Sequence, residues 1–133
     1  MSAMLKYCGS CHCGAIKYEV LAPRELHVVD CNCSVCTKKQ TRHFIVPASN
    51  FKLVTGHTEL TTYTFGTHQA KHMFCSKCGV QSFYIPRSNP DGMAIMPHCL
   101  DGPHPIKMVV EKFDGQNRED TVNKSGIRDR SKH

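Results

Sequence analysis

The sequence predicts a single, mainly β domain that is held together by metal ions as well as by its apolar core. The chain has 133 residues, of which 40% are hydrophobic and 8% aromatic. A chain of this length forms one domain, and a small domain with few aromatic anchors usually needs a covalent or metal staple. Nine Cys are available for that purpose. The β assignment comes from short segments in which strand patterns recur.

Seven segments carry the strand signal. Apolar and polar side chains alternate in residues 15–20 and 61–65, which is the period of a strand with one buried face. Five further segments are short and apolar: residues 26–29, 43–46, 51–54, 81–85 and 93–96. No stretch of twelve or more residues has a clean helical period. Many short strands with frequent turns predict small, packed antiparallel sheets.

The apolar residues are concentrated in residues 1–113, which we take as the domain. Residues 114–133 contain Val122 and Ile127 as their only large apolar side chains, and nine of these twenty positions are charged. Such a composition predicts a charged, solvated C-terminal tail that is partly helical or disordered. Five of the charges are basic and four are acidic, so the tail is not a polybasic arm.

The N-terminal residues contain no apolar run of the length found in signal peptides, and no apolar stretch approaches the ~20 residues of a membrane span. We therefore expect a cytoplasmic or nuclear protein that is not secreted and has no membrane partner, in a compartment where thiols stay reduced. The formal charge of +6 falls to about +3 if seven thiolates bind two Zn²⁺. This mild excess does not predict direct nucleic-acid binding. The oligomeric state is left open.

Seven of the nine Cys fall into three tight motifs, a CxC, a CxCxxC and a CxxC. Their members are Cys11 and Cys13; Cys31, Cys33 and Cys36; and Cys75 and Cys78. An odd number of Cys at this spacing suits metal binding better than a disulfide framework. The CxxC motif is followed by Gly79, which permits the positive φ at which a backbone turns around a metal ion. A structural zinc takes four ligands, so the CxC motif can complete this site and leave the CxCxxC motif with an open position.

The residues alone leave other partitions open. The first two Cys of the CxCxxC motif could pair with the CxxC motif instead, and Cys99 or His98 could close the second site. A closed site is purely structural, whereas an open one can polarise a water or take a substrate thiolate. The CxCxxC motif is followed by a basic run, which we define as Lys38, Lys39 and Arg42. This run is either a solvated face or an anion site for substrate carboxylates.

Four motifs resemble the glutathione-dependent formaldehyde-activating enzyme family. They read GSCHCGA at residues 9–15, CNCSVC at 31–36, FCSKCG at 74–79 and PHCLD at 97–101. The resemblance covers roughly residues 7–113, and all seven clustered Cys fall in the family order. Smaller details are closer to the centromere protein V branch of the family, in residues 32–34, 42–49, 62–65, 79–84 and 86–90.

The resemblance implies an Mss4-like β-tent of small antiparallel sheets with two Zn²⁺ as cofactors. It assigns a structural zinc to Cys11, Cys13, Cys75 and Cys78, and a second, more exposed zinc to Cys31, Cys33 and Cys36. It also implies a carbon–sulfur lyase that joins formaldehyde to a small thiol such as glutathione, giving S-hydroxymethylglutathione or a related adduct. The three ligands of the open zinc would then serve catalysis, and the basic run would bind the substrate. The competing hypothesis is a non-catalytic, zinc-stapled module that binds chromatin or the cytoskeleton.

Overall fold

The computed structural model describes residues 4–132, in which eleven strands form two β-sheets. In chain order the strands and α-helices are β1 Met4–Ser10, β2 Lys17–Pro23, β3 Glu25–Cys31, α1 Ser34–Lys39, β4 Arg42–Pro47, β5 Phe51–Thr55, β6 Leu60–Tyr63, β7 Lys71–Cys75, β8 Phe83–Ile85, β9 Gly92–Ile95, β10 Leu100–Gly102, β11 Lys107–Phe113 and α2 Arg118–Ser125. Short 3₁₀ turns cover Ala48–Asn50, Pro97–Cys99, Gly115–Asn117 and Ile127–Ser131. Each of the seven predicted strands is present, with its ends shifted by three residues or fewer.

One sheet has four strands in the order β10-β1-β2-β5, and the other has seven in the order β11-β3-β4-β9-β8-β7-β6. Within these described strands the pairing is antiparallel, as predicted, except that β11 runs parallel to β3. In that pair Phe113 lies opposite Cys31, so both strands end beside the CxCxxC motif. The sequence did not predict this parallel pair, because a parallel partner is distant along the chain and leaves no hairpin signal.

Alternation along the strands builds the main core. In β2 the side chains of Tyr18, Val20 and Ala22 are buried, while Lys17 and Leu21 on the other face are exposed. Tyr18 packs edge-on against Phe83, with ring centroids 5.2 Å apart, and these rings lie in a cluster shared by both sheets. These two aromatic side chains therefore bury their apolar area between the sheets.

The C-terminal segment also contributes to a core, which differs from the solvated tail that its composition predicts. Val122 and Ile127 are 4% and 3% exposed, and they pack in a second apolar cluster with Phe113 and Tyr84. The fully buried side chain of Asn89 donates hydrogen bonds to the carbonyl oxygen of Ile127 at 2.8 Å and to the hydroxyl of Ser131 at 2.9 Å. Because these contacts join residues about forty positions apart, local composition does not reveal them. The helical part of the prediction agrees with α2.

Helix α1 is a six-residue turn that reverses the chain between β3 and β4. Cys33 precedes it in extended conformation, and Gln40 ends it in the left-handed conformation with φ 56°. The Gln40 backbone N–H reaches the carbonyl oxygens of Cys36 and Thr37, which closes the last turn. No helix among residues 4–132 is long and apolar enough to cross a membrane.

Candidate metal centres and the cavity beside them

The first candidate metal centre, which we call the four-thiol cluster, consists of Cys11, Cys13, Cys75 and Cys78. The first two lie on the loop between β1 and β2, the third is the last residue of β7, and the fourth lies on the turn that follows. All four sulfurs lie within 4.8 Å of one another, and two of the S···S distances are 3.6 Å. Thiolates at ~2.3 Å from a tetrahedral Zn²⁺ lie about 3.8 Å apart. The cluster therefore fits a tetrahedral, thiophilic ion without rearrangement.

Backbone amides surround this cluster and favour thiolates. The N–H of Ile16 donates to the sulfur of Cys11 at 3.3 Å, and the N–H of Lys77 donates to that of Cys75 at 3.4 Å. Hydrogen bonding from the backbone of Cys13 and Val80 lowers the pKa of Cys78 to about 6. The turn itself depends on Gly79, whose φ of +77° places its N–H 2.8 Å from the carbonyl oxygen of Cys75. The knuckle geometry predicted from the CxxC motif is thus present.

The second candidate centre, which we call the three-thiol cluster, consists of Cys31, Cys33 and Cys36. Its members come from the end of β3, the residue before α1 and the first turns of α1, and their sulfurs lie within 4.8 Å of one another. Hydrogen bonds from Cys31 and Cys36 lower the pKa of Cys33, whereas the hydrogen bonds from Cys33 and Cys36 raise the pKa of Cys31. The three thiols therefore interact strongly, and a metal ion that binds there would displace their protons.

The backbone of the C-terminal segment passes directly over the three-thiol cluster. A Cβ atom at Gly115 would lie 2.6 Å from the sulfur of Cys31 and 2.8 Å from the Cβ of Cys33. These distances are far below van der Waals contact, so a residue with a side chain does not fit there without a shift. The side chain of Asn32 fixes the same segment, since its amide donates to Asp114 at 3.1 Å and its carbonyl accepts from the N–H of Gln116 at 3.2 Å.

Neither residue considered as a fourth ligand of this cluster reaches it. Within the described part of the chain, no His, Asp, Glu or further Cys joins the group of three. Cys99 is buried elsewhere, with its sulfur 4.0 Å from the carbonyl oxygen of Gln81, and His98 is exposed. The pairing of the CxCxxC and CxxC motifs in one site is not found either. The structure groups the seven Cys as four and three.

The three-thiol cluster opens into a cavity of about 560 Å³, which we call the aromatic cavity. Its wall includes a stack of rings from Phe65, His72 and Tyr84. The centroids of Phe65 and His72 are 5.7 Å apart, and those of His72 and Tyr84 are 4.7 Å apart with only 12° between the ring planes. Burial lowers the pKa of His72 and raises that of Tyr84 well above its ordinary value. At neutral pH the His72 and Tyr84 side chains of the stack are therefore uncharged.

Two polar contacts position the groups of this wall. The Tyr84 hydroxyl oxygen lies 3.3 Å from both ring nitrogens of the buried His43, whose pKa is lowered by burial to about 4. On the other side of the stack, Gln81 accepts a hydrogen bond from Lys39 at 2.7 Å and lies 3.5 Å from Nδ1 of His72. Tyr84 thus presents a protonated hydroxyl beside the three-thiol cluster.

The basic run lies outside the aromatic cavity. Besides its contact with Gln81, Lys39 places its ammonium group 5.1 Å from the ring centroid of Phe74. Arg42 lies 3.5 Å from Asp30 in an exposed ion pair, and Lys38 is exposed on α1. Arg42 does line a second, smaller pocket of about 470 Å³, which we call the polar pocket and which also touches Cys31 and Cys36.

Several residues of this site were not singled out in the sequence. His43, His72 and Tyr84 lie in ordinary strand patterns, Arg87 lies on a Pro-rich loop at the cavity, and Gly115 follows β11. A lone His in a strand gives no signal of its own, because its role depends on partners from other strands. The sequence PRSNP at residues 86–90 is a detail of the family resemblance, and it gives no indication that this loop lies beside the cavity.

Taken together, these features define a mainly β domain in which one closed thiol cluster joins distant parts of the chain and one open thiol cluster faces a cavity. The family model of the glutathione-dependent formaldehyde-activating enzyme matches residues 6–116. The chain belongs to this family. Its assignment to the centromere protein V branch stays a prediction, because the matching model describes the family as a whole.

A solved structure supports the same fold. The crystal structure of a Rhodobacter sphaeroides protein is similar to this chain, with 33% sequence identity and a TM-score of 0.65. The similarity covers 77% of this chain and 99% of that one. The predicted fold class, a mainly β, Mss4-like arrangement of antiparallel sheets, is confirmed.

Proposed function

We propose that the protein binds two Zn²⁺, one in each thiol cluster. The donor sets support this proposal, because closely spaced sulfur ligands select thiophilic, tetrahedral ions. The four-thiol cluster would hold a structural zinc that joins the β1–β2 loop to the turn after β7. The three-thiol cluster would hold the second ion and leave one position facing the aromatic cavity. When bound there, zinc supplies a Lewis-acidic position at which a substrate thiol stays deprotonated at neutral pH.

We infer that the reaction is carbon–sulfur bond chemistry of the lyase type on an adduct of a glutathione-type thiol. The observation that carries this inference is the absence, among residues 4–132, of a fourth protein ligand in a thiol cluster that opens into a cavity. In the synthetic direction the thiol sulfur attacks the carbonyl carbon of formaldehyde or a related aldehyde. The sulfur–carbon bond forms, and the thiol proton ends on the carbonyl oxygen. The reverse direction breaks the same bond.

The residues of the wall have defined tasks in this proposal. The Tyr84 hydroxyl, held beside His43, donates a hydrogen bond to the aldehyde oxygen as negative charge develops on it. The apolar lining excludes water from the reacting atoms. The basic run binds a carboxylate of the thiol, and Arg42 is well placed for this because it lines the polar pocket on the other side of the cluster.

Metal content tests the first part of the proposal. Elemental analysis of the purified protein is expected to give two zinc ions per chain, and zinc K-edge absorption should give Zn–S distances near ~2.3 Å. A Cys33→Ser variant should retain one ion, in the four-thiol cluster. One zinc per chain in the wild type, or a disulfide within the three-thiol cluster, would contradict the assignment.

Exchange spectroscopy tests the reaction. We expect the zinc-loaded protein to accelerate the exchange between free formaldehyde and S-hydroxymethylglutathione in NMR magnetisation-transfer experiments. Tyr84→Phe should slow this exchange by about a hundred- to a thousandfold, since one donor to a developing oxyanion is lost. His98→Ala, an exposed residue outside both clusters, is the control and should leave the rate unchanged. If no thiol and aldehyde pair exchanges faster than without protein, the non-catalytic binding module becomes the better assignment.

A further inference from the structure

The three-thiol cluster lies between two spaces of opposite chemical character. Cys31 and Cys36 line both of them. The polar pocket is bordered by charged side chains, including Arg42, Lys112 and Asp114. The aromatic cavity is bordered mainly by apolar and ring side chains, and Arg87 is the one Lys, Arg, Asp or Glu among the described residues that line it. A ligand held at the cluster can therefore extend a polar part to one side and an apolar part to the other.

The aromatic cavity is larger than a one-carbon aldehyde requires. Its volume of about 560 Å³ lies within the ~300–1,000 Å³ of pockets that enclose whole small molecules. Formaldehyde adds a single carbon to the thiol and leaves nearly all of this space without a partner. A ligand that fills this space gains binding free energy, because its atoms remove the apolar wall of the cavity from water.

The ring stack extends from the cavity to the protein surface. Phe65 stacks on His72 inside and on Tyr63 outside, where the centroids are 5.6 Å apart and the ring planes differ by 22°. Phe65 and Tyr63 are 39% and 49% exposed, although both are large apolar side chains. Phe65 lines the cavity with part of its ring exposed, so an apolar group in the cavity can pack against that exposed part.

We propose that the aldehyde half of the substrate carries an aromatic or bulky apolar substituent, which packs in the aromatic cavity against Phe65. This proposal rests on the proposed function, and it names the substrate class of the same site. The thiol of a polar molecule of glutathione type bonds through sulfur to the carbonyl carbon of this aldehyde. The thiol proton moves to the carbonyl oxygen, and no other reactant is consumed. The polar part of the thiol occupies the polar pocket.

A matched pair of aldehydes tests the proposal with the zinc-loaded protein and glutathione. Phenylacetaldehyde and acetaldehyde differ by one phenyl group, and each rate is divided by its uncatalysed value. We expect kcat/KM to favour phenylacetaldehyde by about tenfold or more. Phe65→Ala should reduce this preference by about three- to tenfold. Met108→Ala, which removes another exposed apolar side chain near the start of β11 and outside the cavity, should leave it unchanged.

A binding measurement gives a second readout that does not depend on turnover. Saturation-transfer NMR with 2-phenylethanol, a non-reactive analogue, should show transfer to its ring protons in the wild type and in Met108→Ala, and markedly less in Phe65→Ala. Equal rates with both aldehydes, or ring contacts unaffected by Phe65→Ala, would overturn the proposal while leaving the proposed function intact. Exchange with neither aldehyde nor with formaldehyde would overturn both.

Discussion

Replacing Gly115 with Ala should remove the second metal ion selectively. The backbone of Gly115 does not have a positive φ, so alanine adds a methyl group there without left-handed backbone strain. That methyl group would lie 2.6 Å from the sulfur of Cys31 and 2.8 Å from the Cβ of Cys33. Both neighbours belong to the three-thiol cluster, whereas the four-thiol cluster is built from other loops. The perturbation is thus confined to one site.

The size of the effect follows from the overlap. Non-bonded contacts of this kind have their optimum at roughly 3.5–4.0 Å, so the methyl group overlaps the sulfur by about 1 Å. Relieving such an overlap in a packed site costs about 1–3 kcal/mol. If the overlap is relieved by a movement of Cys31, this cost is subtracted from the free energy of metal binding. The affinity of the three-thiol cluster for its metal ion should then weaken by about five- to a hundredfold.

Competition with a chromophoric chelator measures this change. In Gly115→Ala we expect one ion per chain to resist the chelator as in the wild type and the other to be lost at a lower chelator concentration. Gly126→Ala is the matched control, because its added Cβ meets nothing within 4 Å and strains only the end of α2 at φ +68°. Unchanged affinity of both ions in Gly115→Ala would show that the C-terminal segment yields instead, and it would refute the placement of Gly115 over a rigid cluster.

Three further predictions concern stability, ligand binding and pH. Cys75→Ser should unfold or aggregate the protein, because a structural site contributes folding free energy, whereas Cys33→Ser should leave the sheets intact; equal loss of circular dichroism in both variants would contradict this. Glutathione should bind better than 2-mercaptoethanol in calorimetry, and this preference should shrink as the salt concentration rises. The preference should vanish when all three cations of the basic run are replaced by Ala. A preference that survives in the triple variant would exclude the run as the anion site. Burial lowers the pKa of His43 from 6.5 to about 4. Between these two pH values the unfolded chain therefore binds more protons than the folded chain. The contribution of neutral His43 to the free energy of unfolding is complete above pH 6.5 and is lost as the pH falls toward 4. This loss amounts to about 3 kcal/mol, and thermal melts should show that His43→Gln loses less stability than the wild type between pH 7 and 5.

Local patterns in the sequence are sufficient to find seven of the eleven described strands and the three Cys motifs, but they leave the partition of the thiols between two clusters open. The alternation in β2 places its buried side chains on one face because strand geometry has a period of two residues. The CxxC motif with Gly79 closes on itself, so its two sulfurs converge wherever the turn lies in the fold. These features depend on residues that are close along the chain, and the sequence therefore predicts them.

The surroundings of the clusters depend on contacts that are distant along the chain. The ring stack in the wall of the aromatic cavity brings together Phe65, His72 and Tyr84 from three different segments. None of these residues lies in a sequence motif that would predict the contact. The burial of Val122 and Ile127 likewise requires Asn89, about forty residues earlier, to satisfy the backbone of the C-terminal segment. The charged composition of this segment therefore does not predict that Val122 and Ile127 are buried, because the buried Asn89 amide supplies hydrogen bonds from outside the segment.

The parallel pairing of β3 and β11 makes strand register part of the chemistry of the open site. Phe113 lies opposite Cys31 in this pair, and Gly115 follows two positions later. A slip of one residue would shift β11 by about 3.3 Å and would bring Asp114 or Gln116, each with a side chain, to the position that the glycine occupies. The chain therefore has a single alignment in which a bare backbone covers the three thiols, and a deletion between β10 and β11 that changes this alignment would block the site without touching a ligand.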